Sequence, residues 1–159
     1  MMRLDDKNLE MSCRDVPYKV GLKIGEQMKM FLLSNKNIKA RGLAHNQVGG
    51  YRRVFLALIN SKMKVFINPE LVSLNGAVFG NLERCLSFPK KNQSNVVNRF
   101  ENITIRHMVR ARNHSDGRQM FIEETFTGEE AYTIQHELDH LNGIHIHHSN
   151  PKYIVKGGK

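Results

Sequence analysis

The stretch that most constrains this chain is residues 127–143, TGEEAYTIQHELDHLNG, which predicts a helix with marked ends. Thr127, followed three residues later by Glu130, has the pattern of a capping box. Gly143 can close the carboxyl end in a left-handed conformation. Apolar residues at 3-4-3 spacing predict that one face of the helix is buried: Ala131, Ile134, Leu138 and Leu141.

The same helix carries an H-E-x-x-H pattern at residues 136–140. His136 and His140 stand one turn apart, about 40° around the axis, so both imidazoles can bind one metal ion. Glu137 borders the same face. A catalytic metal site usually has a third protein ligand, and Cys85, in a polar loop, is a candidate. The alternatives are a helix that carries two histidines by chance and a Cys85 that serves as a small buried hydrophobic residue.

Length and composition predict one domain, residues 1–159, long enough to bury a core. The first residues contain acids and no apolar run, and no segment has the length of a membrane span, so we expect a cytoplasmic protein without membrane contact. Two cysteines indicate a reducing compartment, with Cys13 structurally incidental. The net charge of +9 attracts phosphate polymers, but the basic residues are scattered, so we expect a solvated surface and no DNA binding.

Hydrophobic periodicity predicts the remaining elements. Residues 17–34 form an amphipathic helix with Pro17 in its first turn and a core face of Val20, Ile24, Met28 and Phe31. Residues 75–100 are expected to be loop with short extended pieces. Strands are predicted, mostly as hairpins, at 52–59, 63–68, 70–74, 102–111 and 119–126. This order indicates the α+β class, with antiparallel β-sheets packed around the central metal-binding helix and an N-terminal helix.

Three separated motifs resemble, in order, those of the peptide deformylase family. Residues 40–47, ARGLAHNQ, are similar to Gly-φ-Gly-φ-Ala-Ala-x-Gln, where φ is an apolar residue. Residues 83–87, ERCLS, are similar to Glu-Gly-Cys-Leu-Ser, and residues 135–140, QHELDH, match Gln-His-Glu-x-Asp-His throughout. The resemblance covers roughly residues 1–150. It implies one divalent metal ion, Fe²⁺ in the cell and Zn²⁺ as an alternative after purification, held by Cys85, His136 and His140.

The resemblance also implies the reaction, which is removal of the formyl group from formyl-methionyl nascent peptides with release of formate. Metal-activated water attacks the formyl carbon, and Glu137 passes the proton to the leaving amine. The amide of Gln47 and the backbone N–H of Leu86 donate to the carbonyl oxygen. The peptide adds as a strand beside residues 42–47. The residues implied to border it are Gly42, Leu43, Arg99, Tyr132, Thr133 and His136, with a solvated loop arginine as the alternative for Arg99.

The chain departs from the family pattern at four positions near these motifs. Ala40, Arg41 and His45 alter the first motif, and a backbone that needs positive φ at Ala40 would be strained. Arg84 replaces the glycine before Cys85. We expect activity to be kept, with Arg84 and His45 changing the pocket rim or substrate range.

The tail departs as well. Its Asn150-Pro151 and Gly157-Gly158 leave no room for the long helix that docks many family members on the ribosome, which resembles shortened bacteriophage forms. We therefore expect weak or different ribosome docking. His145, His147 and His148 alternate as strand residues do, and we favour exposed polar side chains over a second metal site.

Two other classes of function stay open on the residues alone. A zinc endopeptidase uses the same H-E-x-x-H, although no third His or Glu stands at the usual downstream spacing. A non-enzymatic, basic RNA- or ribosome-binding module would need no turnover with metal bound and a salt-sensitive RNA affinity.

Overall fold

The computed structural model describes residues 2–148, which form two three-stranded antiparallel sheets and two α-helices. The first sheet has the order β1-β2-β3, and its strands are β1 Gly42–Ala44, β2 Val54–Ile59 and β3 Lys62–Ile67. The second has the order β4-β5-β6, and its strands are β4 Glu70–Glu83, β5 Asn95–Arg110 and β6 Gln119–Thr127. The helices are α1 Tyr18–Ser34 and α2 Gly128–Leu141. The predicted α+β class with antiparallel sheets is confirmed.

The prediction about the tail concerns residues that the structure does not describe. Asn150, Pro151, Gly157 and Gly158 all lie outside residues 2–148. Within that range, neither helix combines the length and the apolar character needed to cross a lipid bilayer.

Helix α2 lies at the centre of the main core, between the two sheets. Its predicted apolar stripe is confirmed, since Ala131, Ile134 and Leu141 are fully buried and Leu138 is nearly so. The stripe packs against side chains from both sheets, which are Ala44, Phe55, Ala57 and Phe66 from the first and Ile103, Ile105 and Phe126 from the second. Because one face of α2 is fixed in this way, the residues on its other face have defined positions.

The two ends of α2 differ from the prediction in one respect. Thr127 is the N-cap residue, but its side chain makes no capping hydrogen bond, and Glu130 instead accepts from the Asn60 backbone N–H at 2.8 Å. The predicted capping box is therefore wrong, because Glu130 ties the helix to the β2–β3 turn. The carboxyl end is as predicted: Gly143 has φ of +73°, and the N–H of Ile144 donates to the Asp139 carbonyl at 2.8 Å.

The core face of α1 is shifted from the predicted one. Met28 and Phe31 are buried as predicted, but Val20 is 47% exposed. In its place Gly21 and Gly25 face the first sheet, where a side chain at either position would meet Ile67 or Val65 at 2.5–2.7 Å. The apolar pattern missed this face because it weights large side chains, whereas close approach of a helix to a sheet needs small ones.

The second sheet is longer than predicted. The region from residue 75 to residue 100, expected to be mainly loop, instead continues β4 to Glu83 and begins β5 at Asn95. Register shifts between Leu71 and Ser73 and between Asn75 and Val78 interrupt the alternation that identifies a strand. This extension is functionally important, since Glu83 and Arg99 lie on it.

Candidate metal centre

Three side chains that can bind a metal converge on one point next to α2. Cys85 Sγ lies 3.2 Å from His140 Nε2, and His140 Nε2 lies 3.1 Å from His136 Nε2. Cys85 and His140 are buried, and His136 retains 12% side-chain exposure. The three residues predicted as ligands are thus brought together, although Cys85 and His140 are 55 residues apart along the chain.

The donor set fits a divalent ion. Donor atoms around a four-coordinate ion, with bonds of about 2.0–2.3 Å, stand about 3.3–3.6 Å apart, close to the separations observed. The Nδ1–H of His136 donates to Glu83 Oε2 at 2.8 Å, which leaves Nε2 as the free lone pair. Burial lowers the pKa of His140 well below its usual value, so this ring is neutral and able to bind a metal.

A buried ion network lies directly behind His136. Arg99 donates from Nε to Glu83 Oε1 at 2.7 Å and from a terminal nitrogen to Glu83 Oε2 at 2.8 Å. A second terminal nitrogen binds Asp139 at 2.5 Å. Burial alone raises the pKa of Glu83, but hydrogen bonds from Arg99 and His136 outweigh it and lower that pKa to about 2. Glu83 is therefore an anion that can hold His136 in the tautomer for metal binding.

This network revises the prediction for Arg99. The side chain is only 1% exposed, so the alternative of a solvated loop arginine is wrong. Its guanidinium binds Glu83 and Asp139, and Glu83 in turn binds His136. The predicted contact of Arg99 with the substrate stays a prediction. Sequence reasoning assigned no role to Glu83 and Asp139, although both stand inside the quoted motifs.

Glu137 follows His136 on α2, and its carboxylate is buried. Its side chain is 3% exposed, and within the described residues Oε2 has no hydrogen-bond partner. Burial raises the pKa of Glu137 to about 7, opposed by the nearby charge of His136. A carboxyl group with a pKa near neutrality can both take up and release a proton in a reaction.

Gln47 aims its amide at the cluster. The backbone N–H of Ala44 donates to Gln47 Oε1 at 2.9 Å, so the NH₂ group must point the other way. That group lies 3.3 Å from both Cys85 Sγ and Ser87 Oγ. The turn that follows Cys85 is closed by a bond from the Phe88 N–H to the Cys85 carbonyl, and in residues 2–148 no acceptor binds the Leu86 N–H.

The residues predicted to border the substrate lie in different surroundings. Gly42 lies against Glu137, where any side chain would overlap the carboxylate. Leu43 is fully buried in the core cluster with α1, and Thr133 is buried with its hydroxyl bound to the Glu129 carbonyl at 3.0 Å. Tyr132 is half-buried on α2. Of these four residues, Gly42 is the one that lies against Glu137.

The departures from the family pattern have separate structural consequences. Ala40 has no positive φ, so the expected strain is absent. Arg41 pairs with Glu129, and His45 Nδ1 accepts from the Arg52 N–H at 3.2 Å, which turns His45 into the 45–52 segment and away from the expected pocket rim. Arg84 is exposed.

Two buried amides, with no role assigned from the sequence, hold α2 in place. Asn46 donates to the carbonyls of His140 and Leu9. Gln135 accepts from the Phe100 N–H at 2.9 Å and donates to the Phe100 carbonyl at 2.8 Å. These two bonds connect α2 to β5. The signal for Gln135 was available, because it opens the third quoted motif.

His145 and His148 form a second cluster with Glu10, whose potential donor atoms lie within 4.8 Å of one another. The residues lie in a turn, so the expected strand alternation is wrong. Nδ1 of His148 accepts from the His145 N–H at 2.8 Å, and Nδ1 of His145 accepts from the His147 N–H at 3.2 Å. Each ring, which accepts at Nδ1, therefore carries its proton on Nε2. Metal binding through Nε2 would move that proton to Nδ1 and break these bonds. The arrangement favours the predicted polar side chains over a second metal site.

Comparisons with known proteins agree with this fold. The family model for polypeptide deformylase matches residues 1–153. A peptide deformylase from Clostridium botulinum is 34% identical over 140 residues, which are 87% of this chain and 86% of that protein. One from Pseudothermotoga lettingae is 35% identical over 103 residues, 65% of this chain. The match spans only 54–59% of the length of this and five other relatives.

Solved structures share the fold. A class I type b peptide deformylase from Acinetobacter baumannii, bound to Met-Ala-Ser, has a TM-score of 0.73 at 22% identity, covering 92% of this chain and 94% of that one. The Thermotoga maritima peptide deformylase has a TM-score of 0.71 at 25% identity, covering 92% and 93%. A probable peptide deformylase from Synechococcus phage S-SSM7 has a TM-score of 0.72 at 24% identity, covering 92% and 97%. By the family match, together with the three converging side chains that could bind a metal, the chain belongs to the polypeptide deformylase family.

Proposed function

We propose that this chain is a metal-dependent hydrolase that removes the N-terminal formyl group from formyl-methionyl peptides and releases formate. One observation carries the proposal: Glu137 Oε2 is buried without a hydrogen-bond partner among the described residues, and it belongs to the helix that carries two of three converging residues that could bind a metal. Family membership supports the same reaction. We take residues 1–159 to act as a single catalytic domain.

Cys85, His136 and His140 would hold the ion. When bound, a divalent ion supplies Lewis acidity that brings the pKa of water close to neutrality. Thiolate and imidazole donors suit both ferrous iron and zinc. We propose Fe²⁺ in the cell and Zn²⁺ as the ion that survives aerobic purification, because a ferrous thiolate site is open to oxidation.

The protein's own groups would move the proton and stabilise the developing charge. Glu137 holds the water proton on Oε2 and delivers it to the amine nitrogen that leaves. Gln47, with its NH₂ directed toward Cys85, and the N–H of Leu86, which has no acceptor in residues 2–148, would donate to the formyl oxygen as it becomes negative. One donor comes from the segment after β1 and the other from the segment after β4.

The substrate would extend along the edge of the first sheet. Strand β1 lies at that edge, so its outer backbone groups can pair with an extended peptide without regard to sequence. A relative of the same fold binds Met-Ala-Ser, which is formyl-Met-Ala-Ser without its formyl group. We therefore propose nascent chains as substrates, in the cytoplasm of a bacterium or a phage-infected bacterium.

The endopeptidase alternative has less support. It calls for a His or Glu as third ligand after the helix, whereas Cys85 stands at the ligand position among the described residues. The alternative of a relic RNA-binding module leaves Gln47 and Glu137 without a role.

Formate release from formyl-Met-Ala-Ser tests the proposal, with anaerobically purified protein and the metal counted. We expect turnover by the natural chain. Glu137→Ala should lose turnover and keep the metal, and Cys85→Ala should lose both. Cleavage of internal bonds in an unformylated protein, with no formate released, would move the assignment to an endopeptidase.

A further inference from the structure

Arg84 occupies the position between two residues that point into the site. Glu83 and Cys85 are each 6% exposed, with their side chains on Arg99 and in the metal cluster. Arg84 itself is exposed, so its side chain does not enter the buried network of Glu83 and Arg99. A cation thus stands one residue from a metal ligand.

The charge of Arg84 has no partner in the described part of the chain, where no carboxylate lies within 4.0 Å of it. Other arginines near the site are neutralised, since Arg41 pairs with Glu129 and Arg99 with Glu83 and Asp139. Arg84 is therefore available to a carboxylate that arrives from outside.

A substrate bound at the cluster would bring its first residues toward the segment that contains Arg84. Its formyl group must reach the donor atoms of Cys85, His136 and His140. The segments after β1 and after β4 enclose these atoms, because Gln47 Nε2 lies 3.3 Å from both Cys85 Sγ and Ser87 Oγ. An extended residue spans about 3.3–3.6 Å, so the first two side chains after methionine would stand roughly 7–11 Å from the formyl carbon. The long side chain of Arg84, one residue from Cys85, can reach over such a distance.

We propose that Arg84 is a specificity-determining residue that selects formyl-methionyl peptides with an acidic side chain at one of the first two positions after methionine. This inference rests on the proposed function. A guanidinium recognises a carboxylate through paired hydrogen bonds, which an ammonium cannot copy. Because the site is exposed, the preference is modest, about two- to fivefold at low salt, and it falls as salt is added.

The test compares C-terminally amidated peptides, which lack a competing terminal carboxylate. Formyl-Met-Asp-Ala-amide and formyl-Met-Ala-Asp-amide are each paired with the Asn isostere, and the ratio of kcat/KM values is measured. The natural chain should prefer Asp at one of the two positions about two- to fivefold. Arg84→Gly should bring that ratio to about one, and Arg84→Glu should bring it below one.

Arg112→Glu is the matched control. It makes the same change in net charge on an exposed residue beyond the end of β5, so its ratio should equal that of the natural chain. A ratio that is unchanged in Arg84→Glu, or that changes equally in Arg112→Glu, overturns the inference, since the preference would then come from overall charge or from another residue.

A binding measurement separates this inference from the proposed function. The affinities of Met-Ala-Asp-amide, Met-Asp-Ala-amide and their Asn counterparts are measured on Glu137→Ala protein and on the double variant with Arg84→Gly. Tighter binding of an Asp peptide that disappears with Arg84 supports the inference even without turnover. If all formyl peptides are turned over with no Asp preference in rate or binding, the inference about Arg84 is rejected and the proposed function stands.

Discussion

Gly42 and Glu137 fit together so closely that a side chain at residue 42 would displace the Glu137 carboxylate. A Cβ at Gly42 would overlap the Oε1, Cδ and Cγ atoms of Glu137. The glycine thus allows the close approach of β1 to α2 and leaves the Glu137 carboxylate in its present position.

Gly42→Ala should therefore displace Glu137 and lower kcat/KM for formyl-Met-Ala-Ser by about 100-fold, the lower range of what a positioned acid–base group contributes. The metal content should be unchanged, because Cys85, His136 and His140 are untouched. Gly80→Ala is the control, since its Cβ would meet the exposed side chain of Val96 at 3.0 Å and Asn98 Oδ1 at 3.9 Å. Full activity in Gly42→Ala would contradict the contact.

Arg99→Met should destabilise the protein by about 3–5 kcal/mol, because it leaves the carboxylates of Glu83 and Asp139 buried without their cation. Urea unfolding of the metal-free protein measures the change. Arg118→Gln removes the exposed pair with Asp116 and should have a much smaller effect. Equal effects of the two substitutions would show that the buried network contributes no more to the free energy of unfolding than an exposed ion pair.

The pKa of Glu83 predicts a dependence of stability on pH. It is about 2 in the folded chain and 4.5 in the reference state, so the ionised form stabilises the fold above pH 4.5. This contribution, on the order of 3 kcal/mol, is lost as the pH falls from about 5 to 2. The difference in unfolding free energy between the natural metal-free chain and Glu83→Gln should shrink over that range. A difference that stays constant from pH 7 to pH 2 would refute the shift.

Gln47→Ala should lower kcat by about 100- to 1,000-fold if the amide donates to the developing oxyanion. KM and the metal content should change little, since Gln47 is not among the three metal-binding residues. Steady-state formate release gives both constants. A variant whose KM rises while kcat stays the same would assign Gln47 to ground-state binding.

The sequence predicted the metal-binding helix well because the relevant signal is local. His136, Glu137 and His140 follow helical spacing, and the apolar stripe on the other face is confirmed. Cys85 lies in a different segment, and spacing alone could not bring it to the helix. The three-motif resemblance supplied that link, and the observed distance of 3.2 Å to His140 agrees with it.

The errors arose where tertiary contacts override local preference. Glu130 is drawn from a capping position to the Asn60 backbone, which is 70 residues away in the sequence. The Asn- and Gly-containing part of β4 has low strand propensity and is held by pairing with β5. The burial of Arg99 could not be predicted, because its two acidic partners come from β4 and α2 and no sequence period connects them.

A metal titration of the stripped protein under anaerobic conditions tests the proposed function most directly. Formate release from formyl-Met-Ala-Ser is recorded as Fe²⁺ or Zn²⁺ is added. The rate should rise in proportion to bound metal and level off at about one ion per chain, as one three-ligand site requires. Binding of one ion per chain without formate release would contradict the proposed function.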